Sequence, residues 1–175
     1  MAIGNGTVLA LEMPHTIGAG IEYSTPVVAW SRTDLSMSLG FVEAPVLLLP
    51  ASASASRSGS ASGAVAVVGG YAGGVVALRI SDGASIWETE LDGPIASAPA
   101  LFPGEHGGIA VALQSAEVVL LSPASGTECG RVRIPPPASN TAGGVMAVAT
   151  GGIMEALVGN VDGGVYAASG LQCGT

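Results

Sequence analysis

One sentence of sequence is spoken several times in this chain, and nothing else limits its possible folds as strongly. Residues 73–87 read GGVVALRISDGASIW, and residues 116–129 read AEVVLLSPASGTEC. Placing Gly83 on Gly126 gives a shift of 43 residues, and both copies then run as apolar strand, polar turn ending in Gly, strand. Residues 163–175, GGVYAASGLQCGT, continue the series, with Ser125 to Gly130 lying over Ser169 to Gly174 at a shift of 44. Upstream, GFVEAPVLLL at 40–49 matches GPIASAPALF at 93–102 at a shift of 54, about 11 too long. The excess falls on ASASASRSGSASG, residues 51–63, and NGTVLALE at 5–12 is a further copy of the GGVVALR phrase.

About four copies of a unit of about 43 residues, built from short strands, have the period of a four-stranded propeller blade. The reading is therefore an all-β, antiparallel array of about four propeller-type blades forming one domain over 1–175, with 51–63 as a low-complexity Ala/Ser/Gly loop inside it. Strands are expected at 5–12, 25–30, 41–49, 64–69, 74–80, 85–90, 96–102, 108–113, 117–122, 128–134, 144–149, 153–158 and 164–169. Gly-Gly, Ser-Asp-Gly, Asp-Gly-Pro and Ser-Pro-Ala-Ser-Gly turns separate them. Runs such as AVAVV, IAVAL and EVVLL are apolar without alternation, as in strands covered on both faces. No long 3.6-residue period argues for a helix. The opening phrase and the closing phrase are the same strand of the unit, so the ends do not complement one another and an open arc is expected.

Composition narrows the function classes. The 175 residues include no Lys, five Arg and thirteen acids, for a net charge of −8, and charged residues are only 10%. Nucleic acid and anionic membrane surfaces require clustered cations, so neither is an expected partner. The longest apolar stretch, Val65 to Leu78, is broken by four glycines, and no membrane-spanning helix is expected. The amino terminus has no basic segment followed by an apolar run, which leaves a cytoplasmic location as the default.

The phrases Ser97-Ala98-Pro99-Ala100-Leu101, Gly74-Val75-Val76-Ala77-Leu78 and Asp82-Gly83-Ala84-Ser85-Ile86-Trp87 resemble the pyrroloquinoline-quinone-like (PQQ-like) β-propeller repeat of the quinoprotein alcohol dehydrogenase-like superfamily. The likeness covers 40–175 well and 1–39 loosely. It implies a propeller in which the repeat Trp, here Trp87, docks on the neighbouring blade. Relatives include dehydrogenases, outer-membrane assembly scaffolds and propellers appended to acyl-adenylating enzymes, and the cysteines near the Gly-to-Trp turn are similar to the β-alanine-activating type. The Trp is present in one of three comparable turns, with Cys129 and Cys173 one position short of it. Under four full units are present, whereas the family usually closes with seven or eight blades.

No residue is assigned a catalytic, cofactor-binding or metal-binding role. The run Gly69 to Gly74 lacks the Gly-Lys-Ser/Thr ending of a phosphate loop and opens onto a strand, so it reads as a hairpin turn. His15 and His106 have no ligand at metal spacing beside them. Gly59 to Gly63 has Ala at the centre where a nucleophile elbow needs Ser. Asp82 and Asp162 precede Gly in turns, and the sequon at Asn5-Gly6-Thr7 reads as a turn. Cys129 and Cys173, taken as equivalent positions of successive repeats, should lie beyond the ~7 Å bridging limit and read as free thiols. The quinone needs a cation, carboxylates, a stacking Trp and calcium, and no such cluster is evident. A scaffold or protein-interaction module of a larger protein is thus the leading reading, its partner a protein or the remaining blades. A fragment of a quinoprotein-like oxidoreductase and the carboxy-terminal propeller of an adenylate-forming enzyme are the alternatives.

The 51–63 segment should be dispensable, because it accounts for the mismatch between otherwise equal repeats and long surface loops cost little. Its deletion is expected to leave the melting temperature within about 2 °C, read by calorimetry. A drop of ten degrees would mean that the segment is packed and the repeat frame wrong.

Overall fold

The computed structural model describes residues 2–3, 5–12, 25–50, 63–95, 97–102, 107–134, 145–150, 153–159 and 163–173. His15, His106, Asp162 and all of the Ala/Ser/Gly insertion except Gly63 fall outside them. Four antiparallel sheets follow one another along the chain. The first holds β1 (Ala2–Ile3), β2 (Thr7–Glu12) and β3 (Val27–Arg32), in that order. The second runs β4 (Leu47–Leu49), β5 (Val65–Gly69), β6 (Gly74–Arg79) and β7 (Ser85–Glu90); the third runs β8 (Ala100–Phe102), β9 (Gly108–Leu113), β10 (Glu117–Leu121) and β11 (Glu128–Arg133). The fourth holds β12 (Val145–Thr150), β13 (Ile153–Gly159) and β14 (Val165–Ser169). The first strands β4, β8 and β12 lie against one another, and the fourth strands β7 and β11 form the outer edges. This is a β-propeller arrangement, as the repeat period requires.

The unbroken apolar runs are explained by packing on both faces. On β5 and β6, Val65, Val67, Val75 and Ala77 join a core shared with the third sheet. Their neighbours Val68, Val76 and Leu78 join a core shared with the first. On β9 and β10, Ile109, Val111, Leu113, Val119 and Leu121 face the second sheet, while Ala110, Ala112, Val118 and Leu120 face the fourth. The strand period of two is intact. It sends apolar side chains to a core on either side, so there is no polar phase.

Register fixes which residues correspond. In the second sheet Ala77 faces Trp87, and a bulge follows at Leu78; in the third Leu120 faces Gly130, and a bulge follows at Leu121. The first sheet has the same break after Ala10, which faces Trp30. Trp30, Trp87 and Gly130 therefore hold one position of the repeat. The first sheet thus carries the repeat Trp too, where sequence reading had found it in only one turn.

Two expectations are corrected. The strand expected over 41–49 is confined to Leu47–Leu49, since Pro45 has no N–H for a ladder and Val42 and Ala44 are buried in irregular chain before it. A single helical turn, α1 (Ser36–Leu39), also forms, closed by bonds from Leu39 N to Leu35 O (2.8 Å) and Gly40 N to Ser36 O (2.9 Å). It rests on Gly70 and Gly74, where any Cβ would strike the Leu39 and Ser38 carbonyls. Four residues are too few for a periodic signal.

Leu120 and Leu48 test the two-sided core against its rim. Leu120→Ala, at a fully buried position, should cost about 2–5 kcal/mol, whereas Leu48→Ala, at an exposed one, should stay within about 0.5 kcal/mol. Urea unfolding of both variants checks the contrast, and equal costs would refute the assigned faces.

Candidate functional site

Chemically distinctive side chains gather at the seams between successive sheets. At the second seam, Trp87 leaves β7 and lies over Gly126 in the turn between β10 and β11, where a Cβ would meet its ring. Its Nε1–H donates to Pro123 O at 3.0 Å, and only 8% of the residue is exposed. Two residues on, Thr89 Oγ1 donates to Gly126 O at 2.7 Å. The first seam repeats this with other atoms. Trp30 covers Gly83, its Nε1–H donates to Ile80 O at 2.7 Å, and Arg32 Nη1 donates to Gly83 O at 2.7 Å. Gly83 and Gly126 have φ of 72° and 70°, so these turns need glycine for their backbone as well as for the ring above it.

The third seam is built differently, and the expectation of free thiols at Cys129 and Cys173 is overturned. The two are joined in a disulfide, with Cα atoms 4.7 Å apart. Ala116 and Gly163, both at positive φ, open β10 and β14 alike, so Val165 corresponds to Val118 and Ser169 to Ser122. Cys173 lies beyond Ser169, the last paired residue of β14, and after Gly170 at φ 82°, so the spacing between paired strands of successive sheets does not set its distance from Cys129. Cys129 is the extra residue of the bulge opposite Leu120 and Leu121, and a bulge re-aims its side chain. Chain entropy alone makes a 44-residue closure worth about 4 kcal/mol.

The remaining candidates are accounted for locally. Gly70 to Gly73 form the β5–β6 hairpin turn, with Gly73 N donating to Gly70 O and Gly70 N to Gly74 O, each at 3.0 Å. Asp82 Oδ1 accepts from Ala84 N at 3.1 Å and Oδ2 from Arg79 Nη1 at 2.8 Å, and these bonds lower its carboxyl pKa. Asn5 Oδ1 accepts from Thr7 N at 3.2 Å. Arg131 joins Asp92 (2.7 Å), Glu117 (3.1 Å) and Glu128 (2.9 Å), and its hydrogen bond holds the Asp92 carboxyl below the ordinary range. Sequence reading missed the Arg131 network, because its partners come from three separate segments.

Among the described residues, no three His, Cys, Asp or Glu gather to hold a metal ion, and no helix is long and apolar enough to cross a membrane. Trp30 and Trp87 are committed to seams, while Arg32, Arg79 and Arg131 are engaged by carboxylates. An apolar cleft of about 540 Å³ opens between the first and second sheets, walled by Ala10, Trp30, Val46, Leu48 and Ile80. It lies beside the first sheet, which among the described residues has no counterpart of β4.

The terminal sheets each present an apolar face. Val165 corresponds to Val75 and Val118, which are fully buried towards the next sheet, yet it is 72% exposed. Leu11 corresponds to Leu78, fully buried towards the preceding sheet, yet it is 43% exposed.

No family model and no curated protein sequence matches the chain. Among solved structures it is similar to BamB from Moraxella catarrhalis, with 21% identity and a TM-score of 0.57 over 83% of this chain and 38% of that one. A second similar structure is BBS1N in complex with ARL6DN, with 17% identity and a TM-score of 0.47 over 63% and 31% of the respective chains. The chain thus spans well under half the length of either. The likeness to BamB, together with four successive antiparallel sheets, identifies the fold as a β-propeller.

The Trp-over-Gly contact predicts a coupling. Trp87→Ala should cost about 3–5 kcal/mol. Gly126→Ala should cost about 2 kcal/mol or more beside Trp87, since backbone strain and ring clash add, and at least about 1 kcal/mol less in the Trp87→Ala background, where the strain and the contact with the Thr89 hydroxyl remain but the ring clash is gone. Urea unfolding of the double-mutant cycle measures this, and additive costs would mean that ring and turn do not touch.

Proposed function

We propose that this chain is an interaction module of a larger assembly, offering its terminal sheet faces to further sheets of the same kind or to a protein partner. Val165 carries the reading. At the three internal seams the same position, held by Val8, Val75 and Val118, is sealed by the next sheet, and at the fourth sheet it faces outwards, as Leu11 does on the first. Fully burying a Val or Leu side chain contributes about 1.5–3 kcal/mol, so each face favours association. Repeat arrays need capping units to stay soluble, and here the occupant would serve as the cap. The likeness to BamB over 38% of that chain's length supports a longer whole with more sheets. The reading concerns binding and assembly, and it assigns no reaction to these residues.

Sedimentation velocity on the purified chain tests it. The expected result is self-association at micromolar concentration that is weakened at least tenfold by Val165→Asp or Leu11→Asp, with little change in melting temperature. A compact monomer that neither substitution alters would refute the reading.

A further inference from the structure

Each of the first two seams is held by one device: an aromatic ring over a turn glycine, plus a side-chain donor to that glycine's carbonyl. Both parts are missing from the third. Gly130 replaces the tryptophan and offers no ring, and Val132 stands where Arg32 and Thr89 donate. Across that seam, a Cβ on Gly130 would meet only Leu171 and Gln172, at 3.7 Å. The disulfide occupies this gap. Cys129 is the neighbour of Gly130, and Cys173 is the neighbour of Gln172, which lies across the seam from Gly130. Among the described residues, Ala110, Ala112, Ala116, Ala156 and Ala168 line this core beside Phe102, Leu120, Ile134 and Leu171.

We infer that the Cys129–Cys173 bond replaces the tryptophan clasp at the third seam, and that docking of the fourth sheet depends on its oxidation. With glutathione disulfide as oxidant, the thiolate of one cysteine attacks a glutathione sulfur and releases one glutathione thiolate. The second cysteine's thiolate then attacks the mixed disulfide and releases the other. Two protein thiols become one disulfide, and two electrons and two protons leave in two glutathione molecules. A dithiol reductant reverses the sequence. The first two seams contain no such bond and do not respond. The clasp is therefore closed in oxidising compartments and opened in a reducing cytosol.

Hydrogen exchange read by mass spectrometry on the full chain decides it, comparing the oxidised protein with the same protein in excess dithiothreitol. Reduction should speed exchange at least tenfold in β13 and β14 while leaving β5, β6 and β9 within about twofold. The Cys129→Ser/Cys173→Ser variant should match the reduced protein and ignore the reductant. Unchanged exchange in β13 and β14, or an equal rise in all four sheets, would overturn the inference. So would two free thiols in intact mass after equilibration with excess glutathione disulfide.

Discussion

Burial of both faces of the middle strands is the constraint from which the rest of this structure follows. A sheet whose strands carry Val, Leu or Ala at every position cannot leave either side in water, and a lone sheet of three or four strands has only one way to satisfy that. It must be flanked. The second and third sheets are, and their residues divide by strict alternation between the cores before and after them. Each seam is then the unit of stability, and the array is held by nearest-neighbour terms as in other repeat architectures.

Burial alone is non-directional, and two flat apolar faces could slide over each other. The clasps fix their relative position. Trp30 and Trp87 each bind a carbonyl of the next turn through Nε1, and each ring fits only because the turn below has glycine. The turn geometry and the ring impose the same residue for separate reasons. Arg32 and Thr89, chemically unrelated, both donate to that glycine's carbonyl. What the seam preserves is therefore a donor at one place and not a residue type.

Much of this was legible in the sequence, where glycine turns cut apolar runs into pieces of strand length. The limits of β6, β7, β9, β10 and β11 fall within a residue of those read from the repeat, because Gly83, Gly126 and the Gly-Gly pair at 73–74 punctuate the chain where φ turns positive or the backbone approaches closely. Trp87 as a docking residue was legible through the resemblance. Trp30 was not, since 51–63 breaks the spacing to its counterpart and the chain before it matches the repeat loosely. The disulfide was misread because similarity of letters, Ser-Gly-x-x-Cys in both copies, aligned the cysteines at a shift of 44. Strand register places β14 three residues further along than those letters suggest. α1 left no signal at all, and Arg32 and Thr89 could not be paired by type.

Each of the three seams joins apolar burial to a clasp of its own kind. The second, lined by Ile95, Ile109, Val111 and Leu113 among others, is clasped by the ring of Trp87 and one hydroxyl. The first is built around Val68, Val76 and Leu78, and its ring is joined by a guanidinium that binds Asp34 as well as the turn. The third packs Phe102, Leu120 and Ile134 with several alanines and carries the covalent bond. Apolar burial scales with the area removed from water, at roughly 25 cal/mol per Å², so an alanine contributes less to a seam than a valine or leucine in the same place. A disulfide acts through the unfolded chain and needs almost no contact area. It therefore holds a seam whatever area that seam buries, and in this chain it joins the third sheet to the chain that follows β14.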